Sequence, residues 1–183
     1  QHEAGRQKLA WIAATTFSME AVTWLTSHWA DAHDQDIRLE AAMAKLYCSE
    51  MACKIADLTV QLRGGRGYEK ASSLKARGEA PWPVERMYRD ARINTIIEGT
   101  SDIMKLFLAR EAMDPHLKLA ADLIKGHTPI GTMVKSGIKL AAFYTGWYAN
   151  QWVNSSLWAQ HDEMGRLADH YQFVHSGAHR LAR

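Results

Sequence analysis

Between residues 7 and 62 this chain has neither proline nor glycine. Nothing in its backbone chemistry therefore interrupts long helices there. Cysteine is scarce: Cys48 and Cys53, five positions apart, are the only two. On a helix they would point about 140° apart, which argues against a shared metal or an intrahelical disulfide. Two buried, reduced thiols are the expected state. No uninterrupted apolar run reaches the roughly 18 residues of a membrane span. The opening Gln1-His2-Glu3-Ala4-Gly5-Arg6 lacks the apolar core of a signal peptide. A net charge of +2 is too small to argue for nucleic acid. Strand-like alternation and internal repeats are absent, which excludes a sheet architecture.

What remains is a globular composition, 47% hydrophobic and 23% charged over 183 residues. Leu9, Ile12, Thr16, Phe17, Ala21, Trp24, Leu25 and His28 step at three and four, predicting one face of a long helix. Polar residues 31–36 break it. Leu39, Met43, Leu46, Tyr47, Met51, Ile55, Leu58 and Leu62 mark a second helix, which Gly64 and Gly65 end. Residues 69–82 read as a polar loop. Pro83 suits the first turn of a short helix over 84–92. Thr100 or Ser101 caps another helix, with Asp102 in its first turn, running to about residue 113, where Pro115 punctuates. Further helices are expected over 116–125, 130–158 and from about 163, with 126–129 as a linker. The reading is all-α: an up-down helical bundle over residues 1–115 and a helical extension over 116–183.

One carboxylate stands out. Glu98 lies in Arg92-Ile93-Asn94-Thr95-Ile96-Ile97-Glu98-Gly99-Thr100-Ser101-Asp102, between an apolar run and a glycine. Apolar neighbours disfavour the charged form of a carboxylate, moving it toward the range of a general base. Glycine beside it allows another molecule to approach the backbone. A local helix-approach carboxylate is the plainer alternative. Upstream, Gln61-Leu62-Arg63-Gly64-Gly65-Arg66-Gly67-Tyr68 closes a helix on a glycine cluster beside two arginines, which suits an anion. Arg86, Arg89, Asp90 and Arg92 read as a solvated charged face. His175 and His179 are four apart, but Ser176 follows the first histidine where a zinc protease motif has glutamate, so both are taken as surface residues.

These motifs, with Pro83-Val84-Glu85-Arg86-Met87-Tyr88-Arg89-Asp90-Ala91-Arg92-Ile93 between them, resemble the C-terminal helical domain of the acyl-CoA dehydrogenases. That family reads Q-x-x-G-G-x-G-[YF], then P-[VG]-E-R-x-x-R-D-x-[RK]-I, then E-G-[TS]-x-[DEQ]-I. The resemblance runs from about residue 7 to 112. It implies that Glu98 removes the α-proton of an acyl-CoA thioester while an FAD takes the β-hydride. It implies that Glu98 and Gly99 touch substrate. It further implies that Gln61, Leu62, Arg63, Gly64 and Gly65 face the FAD of a neighbouring subunit, and that Thr100, Ser101 and Asp102 face FAD phosphates or adenosine. Arg89 and Asp90 would belong to a network positioning the Glu98 loop. A homodimer or homotetramer is implied, with an electron-transfer flavoprotein as acceptor. The location would be cytoplasmic in a bacterium, and the mitochondrial matrix or inner-membrane face in a eukaryote.

Two features depart from the family pattern. Residues 71–80 are an insertion, and the extension after Met113 is similar to that of the very-long-chain type. The domains that precede this region in the family are not in the chain, so it resembles a fragment, inactive on its own. Two rival readings are a DNA-binding adaptive-response-type flavoprotein relative and a non-catalytic assembly or membrane-association module. The extension counts seven Lys/Arg against four Asp/Glu, weakly basic at most. Its aromatics Tyr144, Trp147, Tyr148 and Trp152 are expected to bury against protein, a second copy of the chain included, because Lys135 and Lys139 are the only cations along that helix.

Overall fold

A computed structural model describes residues 2–33, 36–124, 129–153 and 162–181. Among them every regular element is helical: α1 (Glu3–Ala32), α2 (Arg38–Arg63), α3 (Gly65–Tyr68), α4 (Ala71–Ala76), α5 (Val84–Ile93), α6 (Ser101–Ile124), α7 (Ile130–Val153), a 3₁₀ turn (Asp162–Leu167) and α8 (Ala168–Leu181). The chain divides into two compact units, 1–113 and 114–183. The all-α expectation holds.

In the first unit α1 and α2 are antiparallel. Lys54 Nζ sits 4.9 Å over the Trp11 ring, Ser18 hydrogen-bonds Tyr47, and Cys48 Sγ lies 3.8 Å from the Met19 carbonyl. The face of α1 that meets α2 is therefore the one carrying Trp11, Thr15, Ser18 and Val22. The stripe expected from sequence is largely the opposite one. Leu9, Phe17, Trp24 and Leu25 are exposed, Phe17 by 73% and Trp24 by 71%. The periodicity of α1 supports two apolar faces, and the chain covers one of them. An uncovered apolar face of this kind marks a contact surface.

Helix α2 is the central element, packing on α1, α3 and α5. That explains why its apolar residues do not form one buried stripe; most are half-buried on several sides. Gly64 ends it, and α3 turns back at once. A Cβ on Gly67 would lie 2.7 Å from the Val60 carbonyl oxygen, so only glycine permits this close approach.

Residues 69–82 are not the polar loop expected. They contain α4, and Leu74 is fully buried, the largest such side chain among the described residues. One apolar residue among Ser, Lys and Arg carries little periodic signal, yet burying a leucine contributes about 1.5–3 kcal/mol. Charges close the same segment. Arg77 bonds Glu69 at 2.9 Å and Glu79 at 3.2 Å, and Arg66 bonds Glu79 at 2.5 Å. The Arg77 hydrogen bond holds Glu69 below the ordinary carboxylate range, and the Arg66 hydrogen bond does the same for Glu79.

Two helix ends also differ from expectation. Pro83 sits at the N-cap of α5, just outside its first turn. Pro115 lies inside α6 and does not end it. Proline removes one amide donor and crowds the carbonyl four residues back, but the helix resumes to Ile124. The division between the two units falls at this turn.

In the second unit His116 Nδ1 and Tyr144 Oη are 2.8 Å apart, and the two rings stack at 5.6 Å. Trp147 and Tyr148 extend the aromatic group, with centroids 5.1 Å apart. Ser136 donates to Asp122 at 2.9 Å. Tyr144 and Trp147 are half-buried and Tyr148 is 55% exposed, so within this chain the expected burial is partial. The Trp152 and His179 side chains, the 126–128 part of the expected linker and the end of the expected helix beyond 153 lie outside the described residues. Helix α7 leaves Ile130, Val134 and Ile138 exposed at helical spacing. No described helix is long and apolar enough to cross a membrane.

Acidification gives a test of the α4 closure. Both carboxylates are depressed in the folded state, so their contribution is complete above their unfolded pKa, near 4.5, and is lost as pH falls through the lower folded value. Amide exchange at Leu74 and Glu79, followed by NMR from pH 6 to pH 3, should show protection constant down to about pH 5 and then falling. Protection unchanged through the whole range would refute a role for the ion pairs.

Candidate active site

The segment between α5 and α6 is a closed turn. Its base is the hydrogen bond from Ser101 N–H to the Thr95 carbonyl, 3.0 Å. Thr95 is buried, with 8% exposure, and its hydroxyl donates to the Arg92 carbonyl at 2.9 Å while receiving the Arg92 guanidinium. Thr100 Oγ1 accepts from the Ile103 N–H at 3.3 Å, capping α6 as expected of a threonine there. At the tip stand two consecutive residues with positive φ, Glu98 at 54° and Gly99 at 97°. An L-residue in the left-handed region costs about 1–2 kcal/mol. Such an outlier persists only where its surroundings fix it.

Those surroundings are visible. Lys45, half-buried on α2, donates its ammonium to the Gly99 carbonyl. A hydrogen bond from a charged donor contributes about 1.5–3 kcal/mol, enough to offset the strain. A Cβ on Gly99 would meet Met104 Sδ at 2.7 Å, so the turn is also pressed against α6. Two further side-chain links join the helices, Glu50 to Lys105 at 2.8 Å and Arg38 to Glu111 at 4.0 Å. Arg38 at the start of α2 pairs with Glu111 in the middle of α6, and Glu50 in the middle of α2 with Lys105 near the start of α6, so the two helices run antiparallel.

Glu98 itself is exposed, and Ile93, Ile96 and Ile97 are each nearly half exposed. The apolar neighbours expected to enclose the carboxylate do not do so within this chain. They are presented outward beside it. Arg89 and Asp90 do not reach the turn either: Arg89 bonds Glu85 at 3.1 Å and Asp90 meets Arg86 at 3.5 Å, both within α5. Arg92 does reach it.

Thr100, Ser101 and Asp102 line a cleft of about 610 Å³ with Glu50, Cys53, Arg92 and Lys105. Ser101 Oγ is buried there and finds no hydrogen-bond partner among the described residues. Burial raises the Cys53 thiol pKa, with Arg92 opposing, and the Glu50 hydrogen bond raises that of Lys105. The two cysteines face different elements, Cys48 toward α1 and Cys53 into this cleft.

Gln61, Gly64 and Gly65 are exposed at the end of α2, while Leu62 and Arg63 are half-buried. Arg63 Nε is buried without a partner among the described residues. Nothing lies within 4 Å of a Cβ built on Gly64 or Gly65. An unmatched guanidinium nitrogen beside open backbone at residues 63–65 suits an anionic group. The Ser101 hydroxyl is also unmatched, but its cleft carries the carboxylates of Glu50 and Asp102 beside Arg92 and Lys105. The two places do not form one pocket. Gln61 is 16 residues from Lys45, about 24 Å along the helix, and the cleft at Thr100–Asp102 contains none of residues 61–65.

The profile of the acyl-CoA dehydrogenase C-terminal domain matches residues 1–113. The chain belongs to that family. It is 46% identical, over its whole length, to the probable acyl-CoA dehydrogenase FadE10 of Mycobacterium tuberculosis and of Mycobacterium bovis, covering 28% of those proteins. Over 57% of the chain it is 38% identical to the mitochondrial very long-chain specific acyl-CoA dehydrogenase of Mus musculus, covering 14% of it. The chain thus spans little more than a quarter of the length of the FadE10 proteins. They match it over its whole length, extension included, whereas the mouse match takes in 104 residues.

Sequence reasoning missed Lys45. Its signal was present but weak: a cation one turn from the small residues Ala41 and Ala42 on the same helix face. The strain at Glu98 can be separated from the fold. Glu98→Gly removes a left-handed cost of about 1–2 kcal/mol against glycine's chain entropy of about 0.5–1 kcal/mol. The urea unfolding midpoint should hold or rise. Gly99→Ala should lower it, by more than about 1 kcal/mol. A comparable loss for Glu98→Gly would mean that the Glu98 side chain supports the fold.

Proposed function

We propose that this chain is the base-bearing helical domain of an FAD-dependent acyl-CoA dehydrogenase, with Glu98 as the general base. The observation that carries the reading is the placement of Glu98: exposed, at the tip of a strained turn whose backbone is tied on both sides. A carboxylate needed only for folding would face a partner. This one is held out toward whatever covers it.

In this reading Glu98 removes the α-proton of an acyl-CoA thioester, and the flavin, when bound, supplies the hydride acceptor. The Glu98 backbone N–H would donate to the thioester carbonyl, where it would stabilise developing negative charge. Gly99, packed against Met104 where a side chain would stand, would meet the substrate through its backbone alone. Ile93, Ile96 and Ile97, uncovered here, would dry the carboxylate when substrate and the rest of the protein close over it.

FAD would be held at two places. Thr100, Ser101 and Asp102 offer the N-terminus of α6 and an unpaired hydroxyl. Gln61, Leu62, Arg63, Gly64 and Gly65 offer open backbone and a guanidinium. Their separation accords with a site completed by a second subunit, so the parent would be a homodimer or homotetramer. An electron-transfer flavoprotein is the proposed acceptor. The isolated chain is expected to be inactive and to hold no FAD. The proposed location is the cytoplasm of a bacterium, or the mitochondrial matrix or inner-membrane face of a eukaryote.

In the full-length protein, Glu98→Gln keeps shape and removes the proton acceptor. Turnover of acyl-CoA should fall by roughly a hundred-fold to ten-thousand-fold with flavin retained. Near-native turnover would sink the assignment.

The cofactor placement has its own test. Gly65→Val adds a side chain into space that is open in this chain, so the fold should tolerate it. The purified full-length variant should nevertheless lose flavin absorbance. Full flavin occupancy would count against the placement of residues 61–65.

A further inference from the structure

Resting on the reading of Glu98 as the base, we infer that Lys45 is a positioning residue whose ammonium fixes the base-bearing turn through the Gly99 carbonyl. Its hydrogen bond spans 54 residues of sequence and joins mid-α2 to the residue after Glu98. The stem lies in a groove of about 500 Å³ shared with Ala41, Ala42, Ile103, Met104 and Phe107. Small side chains on α2, Ala41 and Ala42, leave room for it there.

The geometry gives the bond one consequence. Gly99 has no side chain to hold its peptide planes, and its φ of 97° is open to a glycine in several neighbouring conformations. Anchoring the carbonyl selects one of them. That choice orients the Gly99–Thr100 peptide and, through it, the direction in which Glu98 leaves the turn. Ser101 N–H on Thr95 O and Arg92 on Thr95 Oγ1 fix the base of the turn. Among the described residues Lys45 supplies the side-chain hydrogen bond nearest the tip. The Glu50–Lys105 link runs parallel to it but ends on a helix side chain, so it holds α6 and leaves the tip untouched.

The test uses full-length holoenzyme and three proteins: native, Lys45→Met and Lys45→Arg. Methionine keeps the length and apolar contacts and removes the donor; arginine restores a charged donor. Lys45→Met should lower kcat by roughly ten-fold to a hundred-fold, the scale of an about 1 Å misplacement of a reacting group. KM for acyl-CoA, flavin occupancy and unfolding midpoint should change little. Exchange of the Ser101 amide, which closes the turn on the Thr95 carbonyl, should quicken by about ten-fold. Lys45→Arg should recover most of the turnover and the slow exchange. Native kcat in Lys45→Met would overturn the inference. So would a Lys45→Met protein that fails to fold, or that loses flavin and turnover together, because the side chain would then be structural. The exchange result does not depend on Glu98 being the base. Native turnover in Glu98→Gln with quickened exchange in Lys45→Met would remove the functional reading and leave the clamp. Lost turnover in Glu98→Gln with Lys45→Met indifferent would remove only the clamp.

Discussion

The chain reverses between α5 and α6 through Glu98 and Gly99, two successive residues in positive φ, and the rest of the site follows from how that reversal is held. A glycine accepts the left-handed region freely; a glutamate does not. The turn therefore needs bonds from outside itself. One comes from α2 through Lys45, and another closes the base through Thr95 and Ser101. Because α2 also packs on α1, α3 and α5, the position of Glu98 is referred to the centre of the first unit. A surface loop of seven residues without these ties would leave its tip to thermal motion.

The same arrangement leaves much apolar surface uncovered. Among the described hydrophobic residues Leu74, Val84 and Ala42 are buried, whereas Phe17, Trp24, Leu106 and the isoleucines around Glu98 are not. Glu98 stands among outward-facing isoleucines and is itself exposed within this chain. The relatives are about three and a half times as long as this chain, which fits a domain that contributes one wall of a site.

Donor groups tell the same story at the two places proposed for cofactor. Ser101 Oγ and Arg63 Nε are buried without partners among the described residues. Buried polar atoms are nearly always satisfied in native proteins. Their placement at a helix N-terminus and beside a glycine-rich helix end gives a bound group something to complete. The Glu69–Arg77–Glu79–Arg66 group differs: its charges satisfy each other, so it closes α4 and asks for nothing more.

Helix type, the antiparallel pair, the end of α2 at Gly64 and the cap at Thr100 were legible in the sequence, because spacing, glycine and threonine chemistry act locally. Glu98 stood out as well, through the motif around it, and the structure puts it at the tip of the turn. The sequence could not say which face of α1 would be covered, since its pattern supports either and only the docking of α2 chooses. It hid α4, where one leucine decides the packing and gives no period. It placed a stop at Pro115 that the helix passes through. Lys45 was a cation without a role until the fold brought α2 under Gly99. Local chemistry determined the elements and drew attention to one carboxylate. The long-range contacts alone decided how that carboxylate is held, because the bond that fixes it joins residues 54 positions apart.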